Sequence, residues 1–473
     1  RISPKAADMA EGEEEIPPAA ASPEDPSAAE AAPEQVGEAL EAAAAAVEAE
    51  SGSGGAEAAT SPTPELALAA AGDDRPPDGK PSATFLQFIE HMDIVKAYED
   101  ACVIHDRKIN VLVRRSLQES IEAGKETFFI EAPGNHKLVF TCRLGDEDMD
   151  VFVKVFSVLA GALARLDLSY NQLTDSGAVK LASMMPNSNA QRLTSLSLRS
   201  NSIGPDGCFA ICQAIVQCPA LRRLDFSHNP LGPEGGTIIV DLLSNMPHLL
   251  ELFVQDTEAN IDMLVAIAKA LLNPELKLKV CNVENPRIET LQEDHTVHLG
   301  RMLRVNTHLS EIYLGKVKMR DEGIRQLVSF LLENKTLRIL DLRCNELGAD
   351  GAKHLGVLLS SDCQLSHLNL SGNRIGEKCN VTGAAAIAQA LLNNRMLRHL
   401  DLNSNSLCGE ALKALADAVD QNSTLETIAL FHNQWDQPSS SKFHQILNDR
   451  ARILPLRADF VTSEVDLRID ICK

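Results

Sequence analysis

The chain has 473 residues, 44% of them hydrophobic and 4% aromatic, and a formal net charge of -22. Residues 1–80 carry 18 acidic and 4 basic side chains, so they hold -14 of that charge and the remainder only -8. No basic stripe for nucleic acid is left by this balance, and no apolar run is long enough to span a membrane. The 11 cysteines are odd in number and scattered. Cys208, Cys212 and Cys218 have no histidines at a zinc spacing, so they read as free thiols in a reducing compartment. No secretory signal is visible, and the chain opens at Arg1 rather than at a methionine, which leaves room for a preceding segment.

In chain order, residues 1–83 are rich in Ala, Glu and Pro with few large apolar side chains. Such a segment is expected to be a disordered acidic tail, with transient helix around 36–50. Ser3, Ser22, Ser61 and Thr63 each precede a proline and could accept a proline-directed phosphate. Residues 84–162 predict a helical N-terminal cap with a degenerate first repeat. Phe85, Phe88, Ile89, Met92, Ile94 and Val95 suit one amphipathic helix, and Ile109 to Ile121 a second. Phe128 to Ile130 then reads as an imperfect strand, and Asp146 to Leu159 as a helix with acidic residues at its positive end.

Residues 163–450 repeat one unit, clearest at Leu337 to Cys363. Leu337, Leu340 and Leu342 alternate as in a strand; Asn345, Leu347 and Gly351 form a turn; Leu355, Leu358 and Leu359 follow helical spacing. The first strand leucine recurs at Leu163, Leu193, Leu221, Leu249, Leu278, Leu309, Leu337, Leu365, Leu397 and Leu425, about 28 to 32 residues apart. The pattern L-x-x-L-x-L-x-x-N-x-L is that of leucine-rich repeats. It predicts an α/β solenoid, a horseshoe of about ten strand–turn–helix repeats of about 28 residues, because one repeat cannot bury its own apolar edge. The asparagine slot holds Asn171, Asn201, Asn229, Asn345, Asn373, Asn405 and Asn433, expected as a structural ladder satisfying turn backbone groups.

Three consecutive repeats carry Thr257, Pro286 and Val317 in that slot, which reads either as drift or as a reshaped binding segment. Cys379 to Thr382 lengthen one strand-to-helix turn. Residues 451–473 are expected to form a C-terminal cap or tail. N-x-S/T triplets begin at Asn334, Asn369, Asn380 and Asn422 and read as chance.

Side chains between the buried leucines point out of the sheet, on the concave face of such a solenoid. Phe253, Tyr313 and Ile339 put large apolar groups in the middle of that face, and Phe431 with Trp435 at its C-terminal end. Asp225, Asp341 and Asp401 recur at one strand position beside residues such as Arg343. They suit a partner rich in Lys or Arg, although Asp is also common in an L-D-L strand. These nine residues are the candidate partner-binding set. No catalytic, metal-binding or cofactor-binding constellation emerges: the histidines fall on separate repeats, and there is no H-E-x-x-H and no phosphate-binding glycine loop. The expectation is a non-enzymatic protein that binds protein rather than nucleic acid, membrane or a small-molecule substrate.

The repeats resemble the ribonuclease-inhibitor class. Within it, EDHTVHLGRMLRVNTHLSEIYLGKVKMRDEGIRQL (Glu293 to Leu327), YEDAC, GDEDMDVFVKVFSVL and ADFVTSEVD resemble the leucine-rich repeat-containing protein 34 family. The acidic tail, the inserted turn and the short C-terminus depart from it. That resemblance implies an intracellular interaction scaffold or adaptor, cytoplasmic and associated with the cilium or axoneme, with a nuclear or nucleolar, stem-cell role as an alternative. A regulator of a small GTPase is a further alternative, since Ran GTPase-activating proteins use the same kind of repeat. There, however, the acidic run follows the repeats, whereas here it precedes them.

Overall fold

The computed structural model describes residues 94–450 except 124–126, 160, 186–191 and 289–293, together with 457–458, 460–461 and 470–471. All of these belong to one of the chain's two units, residues 74–473. The acidic tail, its Ser/Thr-Pro sites, the start of the first cap helix and most of the C-terminal segment lie outside the described residues.

Two helices, α1 (Ile94–Ile104) and α2 (Val111–Glu122), precede β1 (Phe128–Glu131) and α3 (Met149–Leu159). Asn110 caps α2 by accepting from the amides of Leu112 and Val113, while its own amide donates to the buried hydroxyl of Tyr98. Strands then alternate with helices. They are β2 (Leu163–Asp167), α4 (Asp175–Ser183), β3 (Ser195–Ser197), α5 (Pro205–Ile215), β4 (Arg223–Asp225), α6 (Gly232–Asn245), β5 (Glu251–Phe253), α7 (Ile261–Ala270), β6 (Val280–Asn282) and α8 (Asp294–Val305). The series continues with β7 (Glu311–Tyr313), α9 (Asp321–Leu331), β8 (Ile339–Asp341), α10 (Ala349–Leu359), β9 (His367–Asn369), α11 (Thr382–Asn393), β10 (His399–Asp401), α12 (Gly409–Gln421), β11 (Thr427–Ala429), α13 (Gln437–Arg450) and β12 (Arg457–Ala458). The twelve strands form one sheet in chain order, every pair parallel. This is the expected leucine-rich-repeat solenoid. The strand and helix leucines, such as Leu340, Leu342, Leu355 and Leu358, make one continuous buried core.

The turn after each strand explains the asparagines. Tyr170, Ser200, His228, Asp256, Asn285, Lys316, Cys344, Gly372, Ser404 and His432 share one register position, and all have φ between 52° and 69°. A left-handed residue there swings the next side chain into the core. Only Gly372 is a glycine, the residue that adopts this conformation freely. The next residue is therefore the ladder asparagine. In Asn201, Nδ2 donates to the carbonyls of Leu168 and Leu198, both at 2.9 Å, and Oδ1 accepts from the Leu173 amide at 3.1 Å. The side chain thus ties its own repeat to the one before it. Asn171, Asn229, Asn345 and Asn373 repeat this pattern.

The ladder is weakened in two places. Thr257 retains a single bond, to the Val254 carbonyl, and neither Pro286 nor Val317 has a side-chain donor; Val317 packs in the core instead. Lys318 Nζ reaches the Ile288 carbonyl at 2.7 Å in that stretch. The second place is the inserted turn, a short 3-10 segment at Glu377–Cys379 with Lys378 and Cys379 both left-handed. It redirects the backbone so that the Gly376 amide meets the Asn405 carbonyl, and the buried Oδ1 of Asn405 accepts no hydrogen bond.

A second asparagine set is found where helices run into strands. Asn306, Asn334, Asn394 and Asn422 lie three residues before a strand leucine, and each accepts from the amides two and three residues ahead. Their Nδ2 groups donate to carbonyls of the preceding repeat's helix end, such as Leu359 for Asn394 and Leu391 for Asn422. Asn334 and Asn422, which begin N-x-S/T triplets, are thus buried structural residues.

One buried titratable group gives a pH prediction. His295 in α8 is 2% exposed, its ring facing the Val317 backbone without a well-formed hydrogen bond, and burial lowers its pKa to about 4. Below the ordinary value of about 6.5 the unfolded chain takes up a proton that the folded chain refuses. Stability from this residue is complete above 6.5 and falls as pH drops towards 4, by an amount on the order of 3 kcal/mol. Thermal melts of the full chain and of His295→Phe between pH 4 and 7 should diverge in that window. Parallel curves would refute the assignment.

Candidate protein-binding face

Strand register places the outward side chains in three rows. The first runs Arg165, Ser195, Arg223, Glu251, Val280, Glu311, Ile339, His367, His399 and Thr427. The second includes Asp225, Phe253, Asn282, Tyr313, Asp341, Asn369 and Asp401. The third, two residues further along each repeat, includes Arg199, Ser227, Gln255, Glu284, Gly315, Arg343 and Phe431. Adjacent strands are about 4.8 Å apart, so neighbours within a row touch.

Phe253, Tyr313 and Ile339 are half-buried on this face in the middle of the array. The Arg223 guanidinium sits 4.1 Å over the Phe253 ring and pairs with Glu251 at 2.5 Å. The Tyr313 hydroxyl donates to Glu311 Oε2 at 3.0 Å, and burial next to that carboxylate pushes the phenol pKa up. Phe431 is half-buried at the far end, with its ring 4.0 Å from that of His432.

Two groups depart from the sequence expectation. Asp225 and Asp341 are buried rather than exposed. Each uses Oδ1 to accept the amide two residues on, from Ser227 at 3.0 Å and from Arg343 at 2.9 Å, and Asp341 Oδ2 takes Asn369 Nδ2 at 2.8 Å. Asp167 and Asp401 make the same turn bond. The recurrence of Asp reflects this local bond, which a short acceptor two residues before the turn provides. Burial raises the Asp341 pKa in spite of these donors. Trp435 turns away from the face and packs edge-on against Phe443 of α13 at 5.5 Å, where it helps cover the end of the core.

A polar network in the third row was not foreseen. Glu284, with only 4% of its side chain exposed, receives two bonds of 2.7 Å from Arg343, whose side chain is 46% exposed. These residues lie two positions past the ends of β6 and β8, so the pair spans the whole intervening repeat. It can do so because the residue between them is Gly315. A Cβ there would lie 2.1 Å from Glu284 Oε1 and 2.9 Å from Arg343 Cγ. On the other side, Gln255 links Glu284 to Arg199 beside His228, with Nε2 facing Glu284 Oε2 at 3.2 Å and Oε1 facing Arg199 Nη1 at 3.2 Å. His228 also contacts Arg199 at 2.9 Å and Asp256 at 3.3 Å. Burial and the Arg199 charge lower its pKa, so it stays neutral, and Nε2 is engaged rather than free to act as a base. The Glu284–Arg343 pair is 59 residues apart in sequence, and the signal that could have found it is the glycine at the same register position between them.

Among the described residues, no group of three or more His, Cys, Asp or Glu side chains could hold a metal ion, and no helix is long and apolar enough to cross a membrane.

A family model described as Leucine Rich repeat matches residues 163–182, 190–212, 217–239, 333–356 and 393–416. Leucine-rich repeats thus recur between residues 163 and 416. Leucine-rich repeat-containing protein 34 of Rattus norvegicus is 30% identical over 192 residues, 41% of this chain and 45% of that protein. Its Mus musculus counterpart is 30% identical over 214 residues, 45% and 50% of the two chains. The chain therefore spans about half the length of these curated relatives. Mus musculus ribonuclease inhibitor is 25% identical over 336 residues, 65% of this chain and 66% of the inhibitor. Among solved structures, an internalin from Listeria monocytogenes covers 80% of this chain and 98% of its own, at 16% identity and a TM-score of 0.39, a likeness that says nothing of function. Leucine-rich-repeat proteins are generally protein-interaction scaffolds, offering extended faces built by stacked repeats.

Proposed function

We propose that this chain is a non-enzymatic scaffold or adaptor that binds a protein partner on the outward face of its sheet, between β5 and β8. The observation that carries this reading is the cluster of Phe253, Val280, Tyr313 and Ile339, half-buried large side chains on adjacent strands of a face otherwise lined by paired polar groups. Aromatic anchors in a partly desolvated setting dominate binding energy in interfaces. The rigid network of Glu284, Arg343 and Gln255 beside them holds the strands in place, and their polarity sets the rim. Cilium or axoneme association is part of the proposal and rests on the resemblance to the leucine-rich repeat-containing protein 34 family.

The test is affinity capture of the intact protein from its own cells, with cross-linking to map contacts. Structural proteins cross-linked within 251–343 support the reading and name the partner. Phe253→Ala combined with Tyr313→Ala should weaken binding of that partner at least 100-fold, two anchors at about 2 kcal/mol each being more than enough, while the circular dichroism melt stays close to wild type. Full binding by this double variant would sink the mid-array site. Capture of a small GTPase whose hydrolysis the chain stimulates would replace the scaffold with a GTPase regulator, and recovery from nucleoli would move its place of action there.

A further inference from the structure

We propose that Glu311 anchors a basic side chain, arginine or lysine, presented by an extended segment of the partner protein lying across β6–β8. This rests on the protein-binding reading above and names its chemistry. The outward rows of β4–β8 carry five carboxylates, and four of them are occupied. Glu251 pairs with Arg223, and Glu284 with Arg343. Asp225 takes the Ser227 amide and faces Arg223 at 3.9 Å, while Asp341 takes the Arg343 amide and the Asn369 side chain. Glu311 is different: among the described residues its recorded partner is the Tyr313 hydroxyl alone, on Oε2. Oε1 is left for an incoming donor.

The surroundings suit a cation with an aliphatic stem. At the same register on the adjacent strands lie Val280 and Ile339, both half-buried and apolar, so the carboxylate stands between two hydrophobic walls. A carboxylate so placed loses part of its hydration and gains more from a partner charge than one in open water. The Tyr313 hydroxyl fixes its orientation and brings the phenol ring alongside, where a guanidinium or ammonium can also meet the π face. The methylene stem of that same side chain would rest on Val280 and Ile339. The complementarity is therefore double, charge to Glu311 and apolar contact to the flanking strands.

Phage-displayed random decapeptides panned on the full chain give the test, with Glu311→Gln and Phe253→Ala/Ile339→Ala variants as comparisons. Gln keeps an acceptor for the Tyr313 hydroxyl on a half-exposed residue, so the variant should melt as wild type does. Peptides enriched on wild type should carry Arg or Lys flanked by apolar residues, and Glu311→Gln should bind them about tenfold more weakly, as expected for one charge-assisted bond. Replacing that Arg by citrulline, or the Lys by acetyl-lysine, should cost wild type the same tenfold and the variant nothing more. Equal affinity for wild type and Glu311→Gln, or indifference to the peptide's charge, overturns the proposal. If such peptides still lose binding to Phe253→Ala/Ile339→Ala, the sheet-face reading survives without it. If nothing enriches, or both variants bind as wild type does, both fall.

Discussion

Arg343→Ala should cost about 3 kcal/mol of folding stability, the low end of what breaking a buried ion pair costs. The size of the effect comes from what is left behind. Glu284 has 4% of its side chain exposed, and its two 2.7 Å bonds to Arg343 are the only charged ones it makes among the described residues. Asn282 and Gln255 remain near the carboxylate, but both are neutral amides. Because Arg343 itself is half exposed, water enters where its guanidinium was, which keeps the loss from being larger. Glu284→Gln on the same background should restore most of it, since the stranded charge is then gone. Urea titrations of wild type, both single variants and the double variant close the cycle. A coupling energy below about 0.5 kcal/mol would mean that the pair is a surface contact of little consequence.

Asn345→Ala should be about as costly, again about 3 kcal/mol. Three buried backbone groups bond to that amide: the carbonyls of Leu314 and Leu342, each 2.9 Å from Nδ2, and the Met319 amide, 3.0 Å from Oδ1; Leu342 keeps Asn373 Nδ2 at 3.0 Å, so Leu314 and Met319 are the two left stranded. Leaving a buried polar group unsatisfied costs about 1–3 kcal/mol, and the low end applies where a turn can relax towards water. Asn345→Asp separates the terms, because it keeps the acceptor for Met319 and loses the two donors. It also sets a buried carboxylate oxygen against the Leu314 and Leu342 carbonyls, so at pH 7 its melt should fall at least as far as that of Asn345→Ala. The same Ala change at Asn405, whose Oδ1 already accepts nothing, should be milder.

The fold was readable in the sequence because the leucine period and the asparagine slot are one signal seen twice. A polar residue held at a fixed offset within an apolar pattern has to be satisfying something, and the ladder bonds of Asn201 and Asn345 are that something. The face was less readable. Asp225 and Asp341 looked like exposed charges because strand alternation reports which side a residue faces and says nothing of a bond to an amide two residues later. Asn334 and Asn422 read as chance triplets in sequence, although both stand three residues before a strand leucine, Leu337 and Leu425. Trp435 follows Phe431 closely enough in sequence to read as part of the face, yet its ring packs on Phe443 and covers the end of the core. The pairing of Glu284 with Arg343 depends on side-chain reach across a third strand, which no periodicity encodes.

That reach also changes how the array comes apart. In a stacked solenoid each repeat normally feels only its two neighbours, so the ends fray inwards one unit at a time and any interior unit can open at its own cost. The bonds from Glu284 over Gly315 to Arg343 connect second neighbours, so the repeat between them cannot leave without breaking a contact to which it contributes no side chain. The repeats of β6, β7 and β8 should therefore exchange their amide hydrogens as a single block, so that the face of β7 is held in place before anything docks on it.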